Sequence, residues 1–234
     1  MTLQIPRSAF SSAPDVPASA HDAPAAELGR PAARVHRPAN VARTLFHVAS
    51  GVVALSFLRV MPSRAWLVGA AAAFATFAWT CEVLRRRSAA VNERLMRFFG
   101  PVAHAHEWHQ VNSATWYATA LVLMALFVPL QAAEVGVVVL AVADPMAGFF
   151  GRRFGRRRLA SGRSFEGAAA FVAAGSLAAF AWMKAAGTYE ASRLGLAVLA
   201  GVVGAAVELF VSRVDDNLAI PVVTSLAVAV AALV

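Results

Sequence analysis

Seven apolar runs dominate the chain from residue 44 to its end, and polar or arginine-rich segments separate them. The runs cover residues 44–61, 65–84, 114–130, 132–150, 166–186, 193–212 and 217–234. Each run is 17–21 residues long, close to the ~20 helical residues that cross a hydrocarbon core. Several runs are rich in alanine, which favours close helix packing through small residues. The pattern predicts an all-α polytopic membrane helix bundle with about seven transmembrane helices.

Composition supports this class and excludes the others. Hydrophobic residues make up 59% of the chain and charged residues only 15%, whereas soluble domains are about 25% charged. Disorder of the whole chain is excluded by the same apolar excess. A disulfide-stabilised scaffold is excluded because Cys81 is the single cysteine of the sequence.

Residues 1–40 differ from the remainder of the chain. They contain 6 of the 11 prolines and no long apolar run. This composition predicts a disordered cytoplasmic tail, residues 1–40, followed by a transmembrane domain over residues 41–234. A secretory signal is not expected here, because such a signal needs an apolar core of 7–15 residues.

The basic residues indicate how the chain is oriented. With the N-terminus inside and seven spans, 17 of the 21 basic residues fall on the cytoplasmic side and 4 on the other side. That asymmetry follows the positive-inside rule. The net charge of +8 is therefore a topology signal, and no nucleic-acid partner is expected. Residues 85–113, between the second and third spans, are long enough for an interfacial helix.

Apart from the acidic residues of the tail and Glu93 of the long loop, the same threading places seven acidic residues on the cytoplasmic face. These are Glu82, Glu107, Asp144, Glu166, Glu208, Asp215 and Asp216. Four of them, Glu82, Asp144, Glu166 and Glu208, lie within spans or at their ends. An ionisable group at that depth is costly unless it faces a polar cavity or a partner. The pattern predicts a shared polar site at this level of the membrane.

Arginine-rich loops flank this predicted site. The best phosphate candidate is the segment 151–158, G-R-R-F-G-R-R-R, in which glycines let the backbone approach a ligand and arginines supply charge. Carboxylate oxygens suit Mg²⁺, and arginine forks bind phosphate bidentately. Together they predict a site for a metal-bound polyphosphate. The alternative interpretation of this loop is a topology anchor with no ligand.

A histidine-rich segment lies between the second and third spans. It contains His104, His106 and His109 near Glu107, which resembles a metal-binding tract in composition. The spacing lacks the i, i+4 geometry of H-E-x-x-H. The alternative is an interfacial loop with solvated histidines.

Several segments resemble the dolichol kinase and phytol kinase family of multi-pass, CTP-dependent kinases of lipid alcohols. The central motif of that family has an aspartate, small residues, G-[RK]-x-[FY]-G and then K-S-x-E-G. Residues 144–156 read D-P-M-A-G-F-F-G-R-R-F-G-R, and residues 162–167 read G-R-S-F-E-G. Further agreement comes from R-T-L-F-H-V-A-S-G at 43–51, E-V-L-R at 82–85, Glu208, and D-D-N-L-A-I-P at 215–221. The chain departs from the family pattern at Thr44, Pro145 and Arg163.

The resemblance implies a kinase of a polyprenol, phytol-like alcohol or diacylglycerol, with Mg²⁺ as cofactor and CTP as phosphate donor. It implies catalytic roles for Asp144, Glu166 and Asp216, nucleotide contacts from Arg43, His47, Gly151, Arg152, Gly155, Arg163, Ser164 and Asn217, and metal ligands among Asp144, Glu166, Glu208 and Asp216. The lipid alcohol would enter laterally between helices. We expect a multi-pass protein of a bacterial inner membrane, with its site facing the cytoplasm, and the oligomeric state is left open.

Other interpretations stay open at this point. A CTP:phosphatidate cytidylyltransferase would share the membrane setting, but the chain has no Gly-His-Gly-Gly element and no cytoplasmic lysine. A non-catalytic lipid-binding or transport protein on a kinase-like scaffold is the second alternative. For single residues, Glu208 would pair with Arg213 as a helix-end ion pair. The run D-D-N at 215–217 would cap the last helix, with Asp216 or Asn217 as the N-cap.

Overall fold

The protein was described with a computed structural model that covers residues 41–99, 110–159, 162–211 and 213–234, apart from the side chain of Arg43. These residues form eight α-helices and no β-strand. The helices are α1 (Val41–Val60), α2 (Arg64–Arg87), α3 (Ala89–Phe99), α4 (Ser113–Phe127), α5 (Leu130–Phe154), α6 (Phe165–Ala185), α7 (Arg193–Phe210) and α8 (Asp216–Ala231). The predicted tail, residues 1–40, and the histidine-rich segment with His104, His106 and His109 lie outside the described residues.

The prediction of an all-α fold is confirmed for the described residues, and each of the seven apolar runs coincides with one helix. Four helices, α2, α5, α6 and α7, are long and apolar enough to cross a membrane. The apolar parts of α1, α4 and α8 are shorter. Helix α3 falls in the segment for which an interfacial helix was expected, and it exposes Phe98 and Phe99.

Helix α5 is the centre of the bundle. Every residue from 132 to 141 is buried, as expected for a helix that is apolar on all sides. Helices α1, α6, α7 and α8 pack around it, and α4 packs on α2 and α8. The helix continues through Pro145 to Phe154, and Pro145 has no N–H to donate to the carbonyl of Ala141.

Small residues allow the helices to approach closely around α5. A Cβ atom at Gly136 would lie 2.0 Å from Ser225 Oγ of α8, and one at Gly51 of α1 would lie 2.5 Å from the Cβ of Ala141. These separations leave no room for any side chain. The glycines therefore fix how closely α1 and α8 pack on the central helix.

Helices α1 and α2 diverge although only Met61–Ser63 separates them. Helix α1 packs on α5, whereas α2 packs on α4 and α3, so that α1 makes almost no contact with α2 or α4. The buried stripe of α1 is narrow and includes Gly51, Ala54 and Leu58. Much of the surface of α1 is therefore left uncovered by the other described helices.

Candidate functional site

Arg163 connects three parts of the chain at one end of the bundle. It lies in the segment between α5 and α6, and its two terminal nitrogens donate to the carboxylates of Glu208 in α7 and Asp216 at the start of α8. The side chain of Glu208 is buried, while Arg163 and Asp216 are 35% and 26% exposed. The alternative prediction, that Glu208 pairs with Arg213, is wrong, because Glu208 binds Arg163.

The two carboxylates also determine the charge state of Arg163. Burial alone would lower the pKa of its guanidinium, but the charges of Asp216 and Glu208 outweigh burial and raise that pKa above its ordinary value. Asp144 adds to this effect from a greater distance. The guanidinium is therefore a fixed positive charge among three carboxylates.

Asp144 faces His47 beside this ion-pair cluster. The distance from His47 Nε2 to Asp144 Oδ2 is 3.9 Å, and the same nitrogen lies 3.1 Å from the carbonyl oxygen of Leu140. The side chains of His47 and Asp144 are 14% and 31% exposed. Helix α1 therefore brings its histidine to the carboxylate of α5 that the sequence placed in the site.

The turn that carries Arg163 is held by Ser164. The Ser164 side chain accepts a hydrogen bond from the backbone N–H of Gly167 at 3.0 Å and so caps α6. A Cβ atom at Gly151, Gly155 or Gly167 would lie 2.9–3.0 Å from Ser164 Oγ. The three glycines thus make room for this serine, which fixes the residue next to it, Arg163.

Glu166 belongs to the same turn. One of its carboxylate oxygens accepts a hydrogen bond from the backbone N–H of Arg156 at 3.1 Å. Glu166 therefore ties the first turn of α6 to the arginine-rich segment and is not one of the carboxylates paired with Arg163.

The arginines of the segment 152–158 form an exposed rim at this end of the bundle. All five of them are exposed: Arg152, Arg153, Arg156, Arg157 and Arg158. Arg152 lies against Gly148 one turn earlier, and Arg158 Nη1 donates to the carbonyl of Gly162 at 2.9 Å. Their exposure places several positive charges next to the Arg163 cluster.

The start of α8 completes the site. Asp215 caps the helix by accepting from the N–H of Asn217 at 2.9 Å. The run 215–217 therefore caps α8 as expected, but its N-cap is Asp215 and not Asp216 or Asn217. Asn217 Nδ2 also donates to Asp215, and Ser113 at the start of α4 donates to the second oxygen of Asp215 at 3.1 Å. With Asp215 as the cap, Asp216 is left to bind Arg163.

Glu82 holds α2 against this end of the bundle. It is buried and accepts hydrogen bonds from Arg85 at 2.8 Å and from Arg86 at 2.6 Å. It also accepts from the backbone N–H of Asn112, which caps α4, at 3.3 Å. Glu82, which the sequence grouped with the site, thus forms a structural ion pair at the edge of the site.

Sequence reasoning missed a further buried carboxylate, at the end of α5 opposite Asp144. Glu134 precedes Asp144 by ten residues, or about 15 Å of helix. It pairs with Arg59 of α1 at 2.6 Å and accepts from Trp182 Nε1 of α6 at 2.9 Å. Arg59 also lies 5.4 Å from the centre of the Trp182 ring. A charge within the first turn of an apolar run was the available signal for this cluster.

The donor chemistry of the site suits Mg²⁺, because Asp144, Glu208 and Asp216 supply hard carboxylate oxygens. In the described ranges, however, no three His, Cys, Asp or Glu side chains converge closely enough to hold a metal ion. Two of the carboxylates instead bind Arg163. The side chain of Arg43, which the sequence also assigned to the site, is not described.

Comparison with known proteins gave no match to any family model, curated protein or solved structure.

Proposed function

We propose that this protein is a membrane-embedded lipid-alcohol kinase that transfers the γ-phosphate of CTP to a polyprenol, phytol-like alcohol or diacylglycerol. One observation carries the proposal: Arg163 bridges Glu208 and Asp216 with Asp144 beside it, next to an exposed rim of arginines. Phosphoryl transfer depends on positioning and on neutralising charge. The carboxylates and arginines at this end of the bundle would position the phosphate and neutralise its charge.

The proposed topology has seven spans, with the N-terminus and this site in the cytoplasm of a bacterium. It is supported by the 17 to 4 division of basic residues and by the four helices of spanning length. The Arg163 cluster and the arginine rim lie at the same end of α5, and Glu134 lies toward its other end. CTP, which is cytoplasmic, would thus meet the arginines first.

In the proposed reaction the oxygen of the lipid hydroxyl forms a bond to the γ-phosphorus, and the bond from that phosphorus to the β–γ bridging oxygen breaks. The products are a lipid phosphate and CDP. The hydroxyl proton goes to Asp144, which is partly exposed and is not bridged by Arg163. Arginines of the rim bind the phosphates as bidentate donors.

Asp144, Glu208 and Asp216 would be the residues that offer carboxylate oxygens to Mg²⁺, but among the described residues they do not converge closely enough to hold the ion. Arg163 occupies two of these carboxylates, so it competes with the cation for them. A polyphosphate offers Arg163 an alternative partner. The ion-pair cluster therefore holds the carboxylates together until nucleotide arrives.

A non-catalytic lipid-binding protein is the second candidate. The observation that favours it is the same Arg163 bridge, because a pair of carboxylates already neutralised by arginine needs no metal. This candidate predicts that the full chain binds lipid alcohols while it leaves CTP intact.

The experiment uses purified full-length protein in lipid nanodiscs with Mg²⁺ and CTP labelled at either the α- or the γ-phosphate. The acceptors are a polyprenol, a phytol-like alcohol, diacylglycerol and phosphatidate. Transfer of the γ label to a lipid alcohol supports the kinase. Transfer of the α label to phosphatidate indicates a cytidylyltransferase, and intact CTP with every acceptor indicates the non-catalytic protein.

A further inference from the structure

A small cavity lies where four helices meet beside the Arg163 cluster. It is lined by His47, Ser50 and Gly51 of α1, Tyr117 of α4, Leu140 and Ala141 of α5, and Asn217 of α8. Its volume is about 10 Å³, room for roughly one water-sized group. A cavity of this size between four helices accommodates a single hydroxyl group.

One residue of the cavity lining, Tyr117, carries a buried hydroxyl group. Its hydroxyl is buried and has no hydrogen-bond partner among the residues that the structure describes. A buried hydroxyl without a partner costs free energy, and native proteins rarely leave one in that state. The Tyr117 hydroxyl is therefore expected to bond a group that occupies the cavity.

Two residues of the cavity lining have backbone carbonyls that a proline leaves without their usual helical hydrogen bond. Ala141 and Asn217 line the cavity, and each is the residue four positions before a proline, Pro145 in α5 and Pro221 in α8. A proline cannot donate the i to i−4 hydrogen bond, so neither carbonyl receives its usual helical partner. The cavity lining thus includes Tyr117 and two residues whose carbonyls lack the i to i−4 hydrogen bond. This chemistry suits a group that both donates and accepts, as an alcohol does.

The cavity is adjacent to both the charged site and helix α1, much of whose surface is uncovered. His47 lies between it and Asp144, at 3.9 Å from that carboxylate, and Asn217 follows Asp216 directly. Helices α1 and α4 both contribute to the cavity lining but make almost no contact with each other. A hydroxyl in the cavity would therefore lie near Asp144, beside a helix pair that is not closely packed.

We propose that this cavity is the acceptor subsite, in which Tyr117 hydrogen-bonds the hydroxyl of a lipid alcohol whose chain leaves between α1 and α4. The proposal rests on the proposed kinase function for its biological meaning, but it is a statement about binding. The chemical class of the ligand is a long-chain primary alcohol.

The test is equilibrium binding of a tritiated twenty-carbon polyprenol to the full chain in nanodiscs, without nucleotide. The variant is Tyr117→Phe, and the matched control is Tyr189→Phe, since these are the two tyrosines of the chain. Tyr189 follows α6, at the end of that helix opposite the Arg163 turn. Loss of one hydrogen bond predicts a Kd raised about 5–10-fold in Tyr117→Phe, and no change beyond about twofold in the control. The hydrocarbon of the same chain without a hydroxyl is expected to bind wild type and Tyr117→Phe equally.

Equal affinity of wild type and Tyr117→Phe for the alcohol would overturn this subsite. Thermal unfolding shows whether the variant has a folding defect. Tyr117→Phe removes an oxygen without a partner, so it should not lower Tm. If the alcohol binds through Tyr117 but the protein transfers no phosphate, the subsite stands and the kinase proposal fails. If phosphate is transferred but the variant binds alcohol normally, the kinase stands and the subsite fails.

Discussion

Arg163 and Asp216 are 53 positions apart in the chain, and the guanidinium of the first donates a hydrogen bond to the carboxylate of the second. Glu208 receives the other terminal nitrogen of the same guanidinium. One side chain from the α5–α6 segment thereby joins the end of α7 to the start of α8. The fold at this end of the bundle and the proposed phosphate chemistry depend on the same three residues.

Replacing Arg163 with Gln should lower stability and abolish phosphate transfer. The change leaves the buried Glu208 beside Asp216 with no positive partner, at a cost of about 1–3 kcal/mol in unfolding free energy after allowance for the partial exposure of Arg163. Arg163→Lys should recover part of the stability but little activity, because one ammonium does not span two carboxylates as a fork does. Thermal unfolding and γ-phosphate transfer measure the two effects. Arg213→Gln, at an exposed arginine, is the control. An equal loss of stability and transfer activity in this variant would count against a specific role for Arg163.

Asp144→Asn should reduce phosphate transfer at least 100-fold with almost no change in Tm. Removal of a general base costs about 10²–10⁴-fold in rate, whereas this carboxylate is 31% exposed and contributes little to packing. The matched control is Glu93→Gln, which removes an exposed acid that pairs with Arg97 on α3. Retention of more than a tenth of wild-type activity in Asp144→Asn would exclude Asp144 as the base.

Glu134→Gln should destabilise the protein without changing the kinetics of the site. It leaves Arg59 without its carboxylate partner and weakens the hydrogen bond from Trp182, which we expect to cost about 1–3 kcal/mol. The KM values for CTP and alcohol, measured well below Tm, should match those of wild type. A changed KM with unchanged Tm would show that the two ends of α5 are coupled in a way that their separation does not predict.

Gly155→Ala should be more damaging than Ser164→Ala. The added Cβ would lie 2.2 Å from the carbonyl oxygen of Gly151 and 2.8 Å from the Cβ of Ser164, so the backbone of this turn must shift. Ser164→Ala removes one helix cap, which costs about 1 kcal/mol. Both variants should weaken CTP binding, measured by displacement of a fluorescent analogue, because both displace Arg163. Gly69→Ala in α2, where a Cβ meets nothing within 4 Å, should leave binding unchanged.

Much of the helical architecture was predictable, because an apolar run of spanning length permits few other structures. The run 65–84 anticipated α2, but the helix extends to Arg87, since arginine is a good helix former and Arg85 and Arg86 bind Glu82 one turn earlier. Likewise α5 continues past the end of the run 132–150 to Phe154. Hydropathy locates the membrane-facing part of such a helix and not its polar end.

Which residues pair with each other in the site was less predictable than which residues belong to it. The sequence grouped Asp144, Glu208 and Asp216 by depth, but the pairing of Glu208 with Arg163 depends on how α6 packs against α7. Tyr117 was missed because a single hydroxyl in an apolar run carries no sequence signal of its own. Its environment is set by four helices that come together only in the fold.

The most direct test of the central claim is the transfer of γ-labelled phosphate from CTP to a lipid alcohol by the purified full chain with Mg²⁺. A kinase predicts a labelled lipid phosphate on thin-layer chromatography and an equal amount of CDP, both absent with Asp144→Asn. Intact CTP and unlabelled lipid with every acceptor, from protein that is folded by its thermal unfolding, would contradict it.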